Sequence, residues 1–220
     1  MKENNTVRKA FIANVVLTLL EIFSVSWMMS GISGGILSAA GLRVLKYFTV
    51  DSNIFLGFAS FIAAIQQNHV LKGKRKGIPR FICLIKLSAT AAVTVTMLVT
   101  VFFLEPTMGR YFGYLALFAH SNFFLHLFNP LAAIVTWVCF EKNDVLTSKD
   151  AFLAAIPTLL YAIYYVIEVM THTVNGVIAQ GYDWYGFFVL GLKSAVIVIP
   201  AFILFTYLVC LVLYRIGKNK

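Results

Sequence analysis

Charge is what this chain has least of. Only 12% of its 220 residues are Asp, Glu, Lys or Arg, and 60% are hydrophobic. A soluble domain of ordinary composition has about 25% charged and about 45–50% apolar residues. So small a polar complement cannot cover a water-soluble fold of 24.5 kDa, and the mean hydropathy of +0.84 points to a membrane protein. Disorder, a coiled coil and a collagen-like fibre are excluded on the same grounds. A nucleic-acid domain is excluded despite the net charge of +9, because the cations gather in short stretches between apolar runs. Cysteine is scarce too. Cys83, Cys139 and Cys210 lie in or beside apolar runs, and their odd number and spacing fit neither a disulfide framework nor a zinc or redox motif. The chain lacks a Gly-x-Ser-x-Gly elbow, a Gly-rich phosphate loop and a His-Glu-x-x-His helix. Its four histidines, His69, His120, His126 and His172, are scattered. A metal site from His120 or His126 with Glu168 or Asp183 has no support from spacing. No metal and no cofactor are expected.

What the chain has is long apolar runs. A spanning helix needs about 20 predominantly apolar residues. Six windows qualify, at about 10–30, 48–67, 81–104, 114–140, 151–171 and 189–214. The runs are continuous rather than alternating, so they read as helices and not as barrel strands. The first run follows a charged start, but it is longer than the 7–15 apolar residues of a signal peptide and contains Glu21. It reads as an uncleaved span. The connections are short and polar, and none is long enough for a separate domain. Residues 1–220 are therefore expected to be all-α, a single six-transmembrane-helix bundle.

Orientation follows from cation placement. Of the 18 Lys and Arg, Lys86 and Lys193 lie inside spans, and Arg43, Lys46 and Arg110 fall on one side. The remaining thirteen fall on the side of the termini, including Lys2, Lys72, Lys74, Arg75, Lys76, Arg80, Lys142 and Lys220. Both termini are expected to be cytoplasmic. The basic loop from Lys72 to Arg80 either contacts anionic lipid headgroups or only determines orientation.

Polar residues inside spans are costly and are the first place to look for function. Helical spacing sorts them into stripes. Asn14, Thr18, Glu21 and Ser24 share a face of the first span. Thr49, Ser52, Asn53 and Ser60 share a face of the second, with Asp51 almost opposite Thr49. In the fourth, Asn122, His126 and Asn129 stack at i, i+4 and i+7, and Pro130 should open the hydrogen-bond ladder and kink the helix. In the fifth, Tyr161, Tyr164, Tyr165, Glu168 and His172 form one stripe. With cytoplasmic termini, Thr49, Ser52, Asn53, Asn122, His126, Glu168 and Lys193 all fall in the outer half of the membrane, which predicts a polar pocket there. Plainer roles exist for each: a Glu168–Lys193 ion pair, an interfacial tyrosine belt, and hydrogen-bonded helix packing for the Ser, Thr and Asn groups.

Three stretches carry a resemblance: Lys46-Tyr47-Phe48-Thr49 opening the second span, His126 ahead of Pro130 with Glu141 closing the fourth, and Tyr182-Asp183-Trp184-Tyr185 before the last. In this order they resemble the androgen-induced-gene family of multi-span membrane proteins and its bacterial six-span relatives. The resemblance implies a multi-pass protein of the cell membrane that hydrolyses lipid esters, with Thr49 as nucleophile and His126 as base. It makes membrane lipids the expected partners and a lipid ester the expected substrate. Asn122 or Asn129 would orient the ring or donate to an oxyanion, and Ser52, Asn53, Tyr165 and Glu168 would support the site or bind substrate.

Two other functions fit the residues. Asp51, Glu168 and Lys193 at span edges suit a small transporter or channel. The echo of Asp51-Ser52-Asn53-Ile54-Phe55 in His120-Ser121-Asn122-Phe123-Phe124 hints at a repeat. A non-catalytic binding protein would use the polar stripes only to hold helices together, and would leave no cavity around Thr49 and His126.

Overall fold

A computed structural model describes residues 2–141 and 143–218, with side chains from residue 4 onward. Lys142 and Lys220, counted above among the cations on the side of the termini, lie outside the described residues, as does the side chain of Lys2. Six helices are long and apolar enough to cross a membrane: α1 (Asn4–Met29), α2 (Phe48–Leu71), α3 (Arg80–Phe112), α4 (Ser121–Cys139), α5 (Ser148–Thr171) and α6 (Leu192–Lys218). The only strands among the described residues are a two-residue pair, Thr173–Val174 with Val177–Ile178.

Helix α3 is the centre. It packs on α2, α4, α5 and α6, while α1 lies outside it, against α2 and α4. Every residue from Lys86 to Met97 is buried, as a helix surrounded on all sides requires. Ser88, Ala89, Ala91 and Ala92 keep that stretch thin enough for four neighbours to approach. Between α1 and α2 the same role falls to Gly57, where an added Cβ would stand 3.0 Å from Glu21 Cβ. Helix α4 meets α6 through Trp137, whose indole N–H donates to Leu213 O at 2.9 Å.

The helix ends are marked in the sequence. Helix α2 stops in a Schellman turn: Gly73 at φ +68° follows its last turn, Gly73 N–H bonds Val70 O, and Lys74 N–H bonds His69 O. Helix α5 starts at a capping box in which Thr147 and Asp150 bond each other's backbone. Arg80 adds two bonds to the same carboxylate, at 2.8 and 3.2 Å. One cation of the basic loop is thus spent on structure, while Lys72, Lys74, Arg75 and Lys76 remain exposed.

Two predicted boundaries move. The third helix does not end near residue 104 but continues through a π turn (Thr100–Leu104) to Phe112. The fourth starts at Ser121, not 114. Residues 113–120 instead make a tight loop with positive φ at Gly113, Leu115 and His120 and one 3-10 turn, Ala116–Phe118. Helix α4 has its own π turn, Phe124–Phe128, directly before Asn129 and Pro130.

Replacing Gly57 by alanine forces α1 and α2 apart. It should cost about 1–3 kcal/mol, as overpacking does, read as a lower unfolding midpoint in detergent. Gly77→Ala, where nothing lies within 4 Å of an added Cβ, should leave that midpoint unchanged.

Candidate functional site

Thr49 is the second residue of α2, and His126 lies in the π turn of α4. Both side chains are buried, and Thr49 Oγ1 is 3.2 Å from His126 Nε2. The other ring nitrogen, Nδ1, is 2.7 Å from Leu117 O. A carbonyl oxygen can only accept, so Nδ1 carries the proton and a neutral ring leaves the Nε2 lone pair facing the threonine hydroxyl. Thr49 therefore donates to Nε2. The Phe118 ring stands edge-on to the imidazole, with centroids 6.5 Å apart. The carbonyl that sets the tautomer belongs to the 3-10 turn of residues 116–118. That turn is tied to α3 by Glu105, whose carboxylate accepts the Leu115 N–H.

Asn53 sits one turn below Thr49. Its amide donates to Thr49 O at 2.6 Å and across the helix gap to Leu125 O at 3.1 Å. The second bond has a cause in the sequence. In the π turn the N–H of Asn129 bonds Phe124 O, five residues back, so Leu125 O would be served by residue 130. That residue is proline and has no N–H. Asn53 supplies the missing donor. Ser52 donates to Thr49 O at 3.1 Å and pairs with Thr96 of α3 at 3.0 Å. Both residues thus fix the backbone that carries Thr49.

The remaining predicted residues lie at different removes from this pair. Asn129 donates to Glu21 Oε2 at 2.9 Å and to Ser24 Oγ at 3.0 Å, with Asn53 Oδ1 at 3.4 Å. It is the partner of Glu21, which the sequence left unnamed. Asn122 donates to Ile36 O at 2.7 Å and pins the loop after α1. The imidazole is oriented by a backbone carbonyl, not by either asparagine. Tyr165 lines the same cavity as Thr49, and its hydroxyl donates to the Asp183 carboxylate. Glu168 lies 3.8 Å from His172, and the Glu168–Lys193 ion pair named above as its plainer role does not form.

A cavity of about 310 Å³ opens beside Thr49, walled by α2, α3, α5, α6 and the loop after α5. Its wall is apolar apart from a few hydroxyls. Thr49 lines it and His126 does not, so the threonine stands between the cavity and the imidazole. Thr96 and Thr100 of α3 are in the wall, and the buried Thr100 hydroxyl has no partner among the described residues. Ile163, Ile167 and Ile203 line the cavity and are also 46–56% exposed on the outside of the bundle. The opening therefore runs sideways between α5 and α6. A second cavity, of about 50 Å³, lies at the end of the bundle that carries the termini, bordered by Gln67, Lys86 and Glu141.

Sequence reading missed the Leu117 carbonyl, Thr96, Thr100 and Tyr185. The carbonyl leaves no trace in side-chain patterns. The threonines, spaced i, i+4 on one face, were legible in principle, and Tyr185 belongs to the aromatic stretch already singled out. No group of three or more His, Cys, Asp or Glu side chains suited to a metal occurs among the described residues. Comparison of the chain with protein-family models, with curated proteins and with solved structures finds no match in any of the three.

Removing the Asn53 amide should orphan Leu125 O. Asn53→Ala is expected to lower stability by about 1–2 kcal/mol. Pro130→Ala restores an N–H at the position Leu125 O lacks, so the double variant should lose less than the sum of the two single changes. A thermal double-mutant cycle in detergent checks this, and strict additivity would contradict the proline–asparagine link.

Proposed function

We propose that the protein is a multi-pass membrane enzyme with cytoplasmic termini that hydrolyses lipid esters reaching it from the outer leaflet. One observation carries the reading: a buried threonine hydroxyl within hydrogen-bond reach of a histidine whose tautomer is fixed by a carbonyl on its far side. A threonine hydroxyl is a weak nucleophile and needs such a base. The sideways, apolar cavity supports the same reading, since an acyl chain diffusing in the membrane enters between α5 and α6 and brings its ester to Thr49. The two cavities share no lining residue, and the apolar wall of the larger suits an acyl chain better than an ion or polar solute. Packing alone accounts less well for the polar residues, because Thr49 faces open space.

Thr49 Oγ attacks the ester carbonyl carbon while its proton passes to His126 Nε2, and the carbonyl π pair moves onto oxygen. Collapse breaks the bond to the leaving alkoxide, which takes the proton back from Nε2. Water then attacks the acyl-threonine by the same relay, releasing a carboxylic acid and restoring the hydroxyl. Leu117 O holds the ring throughout and stabilises the imidazolium that forms at each attack. The exposed Lys72, Lys74, Arg75 and Lys76 lie on the cytoplasmic side in this orientation, where they can rest on anionic headgroups.

Purified protein in liposomes should hydrolyse long-chain acyl esters. Thr49→Ala and His126→Ala should each reduce kcat by about 10³-fold or more, with the double variant little worse than either alone. Thr49→Ser should retain activity, and mass spectrometry of the native protein should find the acyl group on the Thr49 peptide. Undiminished hydrolysis by Thr49→Ala rules the mechanism out.

Orientation has its own test. In a cysteine-free background, Lys74→Cys should be protected from a membrane-impermeant maleimide in intact cells and labelled after lysis. Tyr114→Cys, at an exposed position in the loop at the other end, should be labelled in intact cells. The reverse pattern would invert the proposed topology.

A further inference from the structure

A threonine–histidine pair moves a proton but does nothing for the negative charge that develops on the carbonyl oxygen. Stabilising that oxygen is commonly the largest single contribution to ester hydrolysis. Asn122 and Asn129, the asparagines expected to serve, are committed to Ile36 O and to Glu21 and Ser24, and Asn53 is committed to Thr49 O and Leu125 O. The site needs another donor.

Tyr185 provides one. It lies in the loop after α5, is 92% buried, and shares the cavity wall with Thr49. Its hydroxyl oxygen accepts the N–H of Phe48, the residue before Thr49, at 2.7 Å. That N–H is one of the orphan donors at the start of α2, so the phenol oxygen sits at the positive end of the helix, beside the proposed nucleophile. The Thr49 N–H also bears on the same hydroxyl. With its oxygen occupied as an acceptor, Tyr185 has its proton to give away. The Tyr161 hydroxyl interacts with that of Tyr185 and donates its own proton to Lys46 O at 2.5 Å, so its oxygen is the resting acceptor that an ester carbonyl displaces. The ring is held by Tyr165 and Phe187, with centroids 5.6 and 5.7 Å away, so the hydroxyl does not swing freely. Burial pushes the phenol up to about 12, which keeps it protonated, and therefore a donor, across the physiological range.

We propose that Tyr185 is a catalytic residue of the same site, donating its hydroxyl proton as a hydrogen bond to the carbonyl oxygen of the bound ester. This rests on the Thr49–His126 reading. The phenol is not deprotonated: its bond to the carbonyl oxygen shortens as the C=O π pair moves onto that oxygen, and lengthens again as the leaving group departs. An N–H donated into the phenol oxygen polarises the O–H and strengthens it as a donor. The loop after α5 thereby acquires a reason to be anchored so firmly, with Asp183 taking the Tyr165 hydroxyl and, at 2.9 Å, the Phe188 N–H.

Tyr185→Phe keeps the ring and removes the donor. In liposomes with an acyl ester it should lower kcat by about 10²–10³-fold and leave KM within about threefold. Affinity for a trifluoromethyl ketone bearing the same acyl chain, which forms a tetrahedral adduct on Thr49, should fall in step with kcat. Affinity for the matching non-hydrolysable ether should not change. A kcat within threefold of native, or a parallel fall in ether affinity, overturns the assignment and leaves Tyr185 a packing residue. If Thr49→Ala abolishes hydrolysis and Tyr185→Phe does not impair it, this inference fails alone. If Thr49→Ala is active, both fail. Should Tyr185→Phe not fold, fluorotyrosine at position 185 retains ring and hydroxyl. A kcat that shifts with phenol acidity at constant KM then supports the role, and an unchanged kcat refutes it.

Discussion

A proline in the middle of a helix leaves a carbonyl without its donor, and inside an apolar bundle no water replaces it. The architecture around the candidate site follows from how that debt at Pro130 is met. The chain widens into a π turn over Phe124–Phe128, so the N–H of Asn129 reaches back five residues to Phe124 O. One carbonyl, Leu125 O, is still unserved, and Asn53 of α2 takes it at 3.1 Å. That bond ties α4 to the first turn of α2, where Thr49 is. The same amide holds Thr49 O, so one side chain fixes both partners of the Thr49–His126 contact. A local defect in one helix becomes a long-range register between two.

The π turn also explains what was legible in the sequence and what was not. Apolar run lengths gave the six helices, and the stripes on α1, α2 and α4 named the residues that do become buried: Asn14, Glu21, Ser24, Asn53, His126 and Asn129. The expectation that Asn122 and Asn129 would flank the imidazole used α-helical spacing. A turn closed by i→i+5 bonds holds an extra residue and shifts the phase of everything before it relative to everything after. The two asparagines accordingly point to different neighbours, Ile36 O and Glu21. Periodicity describes a helix's own faces. It does not say which neighbour each face meets, so the pairing of Asn129 with Glu21 could not be read. Residues 114–120 read as helix by hydropathy, yet their turns rest on positive φ at Leu115 and His120, and a leucine does not announce such a conformation. The carbonyl that sets the His126 tautomer lies inside that misread stretch.

Burial of charge sets a second constraint. Lys86 and Glu21 are each about 98% buried, and neither residue type enters an apolar interior without partners. Lys86 donates to Ser60 Oγ at 2.6 Å, and the carboxylates of Glu141 and Glu21 bear on it. Glu21 takes the amide of Asn129, and Glu141 takes that of Asn14 at 2.6 Å. Each of these amides comes from a different element from its carboxylate. Stripes that look independent in the sequence therefore join α1 to α4 and to the segment after it, with α2 and α3 contributing Ser60 and Lys86. Such networks specify one arrangement of helices more than they add stability. That matters here because apolar helix faces in lipid discriminate weakly between alternative packings.

In the proposed chemistry, the division between rigid and open parts has a mechanical sense. The base is held from behind by Leu117 O, and that turn is held in turn by Glu105 from the end of the central helix. The nucleophile is held from below by Ser52 and Asn53. None of these anchors borders the sideways opening, which is built from α5 and α6. Those two helices have the least buried of the six candidate spans, and their packing against the rest is what an entering acyl chain would disturb. Placing the proton-transfer pair on α2 and α4, and the opening on α5 and α6, lets one side of the bundle yield to a bulky substrate while the 3.2 Å contact on the other side keeps its geometry. Tyr185 is the exception that joins the two halves: its loop leaves α5, yet its hydroxyl is fixed to the first turn of α2. In that chemistry the Tyr185–Phe48 bond would be the point where chain entry and carbonyl recognition meet.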